Sequence, residues 1–249
     1  MQMNLKYIIG LFCAVALCSC KEKELKPIEQ IVDFGYDYYP VEVGFWQEYD
    51  VEQTIWNDFD HSVKHLNYQW REVIESQFVS GNGDTLYRLE CYQRENASEQ
   101  WAIQRVYFLR KDSKTVERHE ENLIFCKMYF PLQENTTWNE YLYIDSSVFY
   151  ATHYFNTNVI YWGVKSNDAK VEFYKTPKDI NGHYFEDCIG INLHSYKTTI
   201  SEDTEKEYYA KGAGMVYQYV NHTEKTAVAG SFVINKGYIL EKKIADYKR

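Results

Sequence analysis

The feature that most constrains this chain is a recurring two-residue alternation, broken at intervals by turn residues and never interrupted by a long run of helical periodicity. From Phe45 to Ile55 the odd positions read Phe, Gln, Tyr, Val, Gln, Ile, while the even ones are largely acidic. Successive side chains of a strand point to opposite faces, so this pattern sends one face to a core and the other to water. Strand-like runs follow at 66–74, 85–94, 101–110, 123–130, 141–150, 159–164, 171–175, 189–196, 215–220 and 238–244. Turn signals separate them at Ser80-Gly81-Asn82-Gly83-Asp84, Lys111-Asp112-Ser113, Ser166-Asn167-Asp168 and Asn235-Lys236-Gly237. Strands joined by tight turns pair antiparallel, because a parallel crossover needs a dozen or more residues. The expected fold is mainly β, an antiparallel curved sheet or partly closed up-and-down barrel, in one domain over residues 37–249.

Residues 1–19 are laid out as an export signal. Lys6 supplies the positive region, Tyr7 to Leu17 the apolar region and Ser19 the small residue before a cut. A spanning helix needs about 20 apolar residues, and Lys21-Glu22-Lys23-Glu24 ends the run too early for one. Leu17-Cys18-Ser19-Cys20 resembles the lipobox of bacterial lipoproteins. That resemblance implies cleavage before Cys20 and lipid on its sulfur; lipidation at Cys18 would instead put bulky Leu17 beside the cut. It also implies a diacylglyceryl-type anchor, and two or more acyl chains hold durably at about 0.8 kcal/mol per buried methylene. Lys21 is not the Asp that retains enteric lipoproteins at the inner membrane, so the outer membrane is the expected address. Residues 20–36 carry charges, Pro27 and no periodicity, as a tether does.

Composition bounds the partners. The chain carries a formal charge of −9, and cleavage removes Lys6, leaving −10 on a mature form with no basic cluster. Nucleic acid is excluded as an expected partner, since its readers present a basic stripe. The membrane is expected as a partner through the lipid, with a glycan, a lipid or another envelope protein as candidate ligands. Aromatic residues are 17% of the chain, including 24 Tyr, which suits half-buried strand surfaces and opposes disorder. Beyond Cys20 the mature chain keeps Cys91, Cys126 and Cys188. Three thiols allow at most one internal disulfide, and each lies in an apolar run where a buried thiol acts as a small hydrophobe.

Catalytic signatures are missing from the sequence. The histidines, His61, His65, His119, His153, His183, His194 and His222, are dispersed, and only His61 and His65 are close in sequence, in a segment read as a loop. No His-Glu-x-x-His, no Cys-x-x-Cys in the mature chain and no Gly-x-Ser-x-Gly occurs. No catalytic residue, metal site or cofactor is therefore expected. Glycoside hydrolysis stays open as an alternative, because its two carboxylates can come from distant strands. Asp84-Thr85-Leu86 resembles the O-glycosylation site of exported Bacteroidota proteins, which marks Thr85. Gly212 and Gly214 are expected to form a tight bend or a close backbone approach before the strand at Met215.

One internal echo stands out: Tyr38-Tyr39-Pro40-Val41 with Trp46, and Tyr129-Phe130-Pro131-Leu132 with Trp138. Residues 38–46, the stretch from Phe130 to Trp138 and residues 209–217 also resemble landmarks of small Bacteroidota lipoproteins of unknown function. The resemblance implies an exported, antiparallel β-rich domain and brings no catalytic residue with it. The leading functional expectation is a non-enzymatic ligand- or partner-binding envelope module. A glycan-acting envelope hydrolase and a structural subunit of an outer-membrane complex are the alternatives.

Overall fold

The computed structural model describes residues 32–144 and 169–248. The signal peptide, Cys20, most of the tether, the expected strand at 159–164 and the turn at Ser166-Asn167-Asp168 lie outside the described residues. After a 3₁₀ turn at Tyr36–Tyr38, twelve strands follow among the described residues. They are β1 (Trp46–Trp56), β2 (Val63–Val79), β3 (Thr85–Arg94), β4 (Ala102–Lys111), β5 (Thr115–Glu120), β6 (Leu123–Tyr129), β7 (Thr137–Trp138), β8 (Ala169–Ile180), β9 (His183–Lys197), β10 (Ser201–Ala210), β11 (Gly214–Val228) and β12 (Ser231–Tyr247). All belong to one antiparallel sheet in the order β6-β5-β4-β3-β2-β1-β12-β11-β10-β9-β8-β7.

Two meanders, β1–β6 and β7–β12, are thus zipped together along β1 and β12. Their free edges also meet. The Cys126 N–H donates to the Glu140 carbonyl at 2.8 Å and Trp138 Nε1 donates to the Cys126 carbonyl at 2.8 Å, so the sheet closes almost into a barrel. Near-closure removes most of the exposed strand edge that would invite aggregation.

The alternation in β1 is obeyed: Phe45, Gln47, Tyr49 and Val51 are buried. Cys91, Cys126 and Cys188 are free and buried; removal from water pushes the Cys126 thiol up to about 12 and that of Cys188 to about 11. The two echo segments share one core cluster through Tyr38, Phe130 and Leu132, and the residues just before the first pack on the second. Leu132 N–H donates to the Phe34 carbonyl at 3.0 Å, and Tyr36 stands edge-on to Phe130 at 4.7 Å between ring centroids.

Three expectations need correction. Residues 141–144, expected to open a strand, form a turn in which Asn139 Oδ1 accepts from Tyr141 N–H and Ile144 N–H donates to the Tyr141 carbonyl. A local Asx contact outcompetes the ladder there. Asn235-Lys236-Gly237, expected as a turn, lies inside β12; Glu224 faces Lys236 and Lys225 faces Ile234, leaving Asn235 as the extra residue of a bulge. The reversal lies at Ala229 and Gly230, with φ of 49° and 86°, the left-handed pair that two-residue hairpins demand. Finally, β5 and β10 are absent from the sequence reading, because Thr-Val-Glu-Arg-His-Glu and Ser-Glu-Asp-Thr-Glu-Lys-Glu place charges where a core face would be apolar.

Candidate functional site

Those charges face inward at two places. The first is centred on Lys127, whose side chain is 2% exposed. Val116 pairs with Met128 and Glu117 with Cys126, so Lys127 is the extra residue of a β-bulge, a device that re-aims a side chain. Its ammonium bonds Glu140 at 2.8 Å and Glu207 at 3.1 Å. Tyr209 donates its hydroxyl to the other oxygen of Glu207 at 2.6 Å, and Gln218 donates to Glu207 at 3.2 Å. Burial disfavours every charge here, but the two carboxylates together hold Lys127 well above the usual lysine range. Lys127 and Tyr209 in turn keep Glu207 below the ordinary carboxylate value, whereas desolvation raises Glu140.

Beside this cluster lies a cavity of ≈ 30 Å³ walled by Tyr39, Pro40, Phe45, Gln47, Tyr209 and Gly214 among others. A water occupies roughly 10–15 Å³ on this measure, so the cavity has room for about two waters and none for a sugar ring. Gln47 closes one wall by donating to the carbonyls of Ala213 at 2.7 Å and Met215 at 2.6 Å. A Cβ on Gly214 would meet the Gln47 amide at 3.0 Å, and φ there is +79°. The glycine is thus needed for the expected close approach.

The second polar cluster spans β9, β10 and β11. In register, Asp203 lies opposite His222, and Glu205 opposite His194. Glu205 pairs with His194 while Lys206 pairs with Asn192, so Leu193 is the extra residue of a bulge. That bulge turns His194 to the face shared by Ile191, Glu205 and Glu207. Asp203 Oδ1 accepts from both rings, from His194 Nε2 at 2.8 Å and from His222 Nδ1. The rings stack with centroids 5.6 Å apart and planes 19° from parallel. Burial pulls His194 down, but the Asp203 hydrogen bond and the charge of Glu205 outweigh it and leave the imidazole above its ordinary value. The two histidines keep Asp203 well below the usual carboxylate range despite desolvation. Ligand-capable atoms of His194, Glu205 and His222 all lie within 4.8 Å of one another.

Other residues marked in the sequence stay apart. His61 sits at a turn with φ of 56°, whereas His65 lies on β2 with Nδ1 3.1 Å from Thr54 Oγ1. Thr85 is exposed at the mouth of β3 beside the Ser80–Asp84 turn. The convergence of His194 and His222, far apart in the chain, is invisible to a search by spacing. The usable signal was the acidic alternation Asp203, Glu205, Glu207 ending on Tyr209, a strand whose inward face is ionic.

No protein-family model matches the chain, and no characterised protein matches it significantly. Two solved structures are similar to it. One is a presumed exported protein with a YmcC-like fold from Bacteroides fragilis, 8% identical, with a TM-score of 0.36, covering 88% of this chain and 100% of its own. The other is a presumed lipoprotein from Parabacteroides distasonis, 10% identical, with a TM-score of 0.36 and the same coverage. No helix among the described residues is long and apolar enough to cross a membrane.

Proposed function

We propose that the mature chain is an exported envelope lipoprotein, held at the outer membrane through lipid on Cys20, whose β domain acts by binding a ligand or partner. The observation that carries this reading is Leu17-Cys18-Ser19-Cys20 at the end of a short apolar run with Lys6 before it. Binding is favoured over turnover by what the interior holds. A retaining glycosidase uses two carboxylates roughly 5–5.5 Å apart with a sugar between them. Here Glu140 and Glu207 grip one buried ammonium, and the adjoining cavity has room only for water-sized guests.

The test is intact-mass analysis of the protein extracted from native membranes. The expected result is a chain starting at Cys20 with acyl mass on that residue, and a Cys20→Ser variant that leaves the detergent phase. An unmodified residue 20, or a retained segment 1–19, overturns the reading. The same spectrum tests Thr85: added glycan mass that disappears in Thr85→Val is the expected outcome.

A further inference from the structure

We propose that His194, Glu205 and His222 bind a divalent transition-metal cation of the zinc type, with Asp203 as the carboxylate that orients both imidazoles. The proposal concerns the domain's own chemistry and is independent of the lipid anchor.

Three observations converge. The ligand atoms from three strands already lie within 4.8 Å of one another. Zinc bonds of roughly 2.0–2.2 Å in tetrahedral array bring such atoms to about 3.4 Å, so closure asks for small side-chain adjustments. Next, the His194 side chain is 4% exposed, its Nε2 is committed to Asp203, and its Nδ1 has no hydrogen-bond partner among the described residues. Buried polar atoms are seldom left without a partner, and this one sits in a ring whose neighbours are a second imidazole and a carboxylate. A single water could satisfy that nitrogen, but it would not explain why a Glu from β10 and a His from β11 converge on this ring.

The third observation is the support around the trio. Metal-ligating histidines characteristically give their second nitrogen to a carboxylate, which fixes the tautomer and makes the ligand more basic. Asp203 does this for both rings at once. Gln218 Nε2 donates to Glu205 Oε1 at 3.0 Å and steadies that carboxylate. On the far side of His222, Gly237 lets β12 close up: a Cβ there would fall 1.9 Å from the His222 carbonyl oxygen.

Two imidazoles and one carboxylate set the class of metal. Calcium and magnesium take oxygen ligands, whereas imidazole suits zinc and its neighbours in the first transition row. Three protein ligands would leave a fourth position for water or an external donor, and Asp203 and Glu205 at the rim are only half-buried.

The experiment uses the mature lipoprotein in detergent, stripped with a chelator and titrated with zinc by calorimetry and with cobalt by visible absorption. Saturable binding of one zinc per chain is expected, with a cobalt spectrum of a low-coordinate nitrogen and oxygen site. Glu205→Gln and His194→Asn should each weaken zinc by about 100-fold or more, and Asp203→Asn, acting through the histidines, by about 10–100-fold. His183→Asn should change nothing. Absence of saturable zinc binding by the folded wild type overturns the proposal. So does unchanged affinity in Glu205→Gln, a near-isosteric variant whose fold is checked by circular dichroism, which keeps the test decisive if the His194 variant misfolds.

Discussion

The interior of this sheet holds two polar clusters built in the same way and finished differently. Around Lys127, a bulge turns a charged residue inward, and its charge is met there by Glu140 and Glu207, with Tyr209 on the other Glu207 oxygen and Gln218 sharing the one that Lys127 holds. Around His194, a bulge also turns a polar residue inward, but one ring nitrogen is left over and a carboxylate stands beside it. A closed set of partners is what structure alone requires. A set with a buried donor or acceptor to spare is what a ligand can use, because binding offsets the desolvation of that atom.

The contrast breaks first at Lys127. Lys127→Met leaves Glu140 and Glu207 buried without their shared cation, and removing one partner of such a pair costs about 3–5 kcal/mol. Urea unfolding should show that loss at neutral pH. Replacing all three ionic groups by apolar residues of similar volume should restore most of it, since buried ion pairs seldom outperform good packing. A triple variant as weak as the single one would mean that the cluster specifies the fold rather than merely sitting in it.

At the second cluster the order of effects should invert. Zinc at roughly a hundred times its dissociation constant should stabilise the wild type by about 2.7 kcal/mol, and Glu205→Gln, with affinity about 100-fold weaker, by no more than about 0.4 kcal/mol. Without metal, His194→Leu should cost about 1 kcal/mol or less, because it deletes an unsatisfied nitrogen together with one of the two bonds to Asp203. A loss as large as that of Lys127→Met would instead identify the His194, Asp203 and His222 set as a structural staple across β9, β10 and β11.

Why one reading of the sequence succeeded and another failed follows from the same two bulges. Where a strand alternates without interruption, as β1 does over Gln47 to Val51, its position was legible to within a residue, and so was the antiparallel, nearly closed architecture. Period-2 reasoning assigns faces only while the count is unbroken, and an extra residue at Lys127 or Leu193 reverses the assignment beyond it. In β10 the inward positions are Asp203, Glu205 and Glu207, so the strand itself was unrecognised and its carboxylates looked like a solvated face. His194 and His222 come together only through the strand order β11-β10-β9, a tertiary fact that no spacing rule contains.

The exposed clamp at Asp33 marks the weak end of the scale. Asp33 bonds Lys211 at 2.9 Å and Lys175 at 3.1 Å, tying the segment before the 3₁₀ turn to the sheet from a partly exposed position. The Lys211 hydrogen bond is the main cause that lowers its pKa from 3.8 to about 2. A carboxylate depressed in the folded state contributes stability above its unfolded value and loses it as pH falls through the folded one. Asp33→Asn should therefore cost no more than about 1 kcal/mol at neutral pH, the range of exposed pairs. The gap between wild type and variant should stay constant down to pH near 4.5 and shrink between there and pH 2. Urea unfolding at pH 7, 5 and 3 measures it; a gap that grows with acid would mean that Asp33 is protonated on folding, and that its lysines do not hold it.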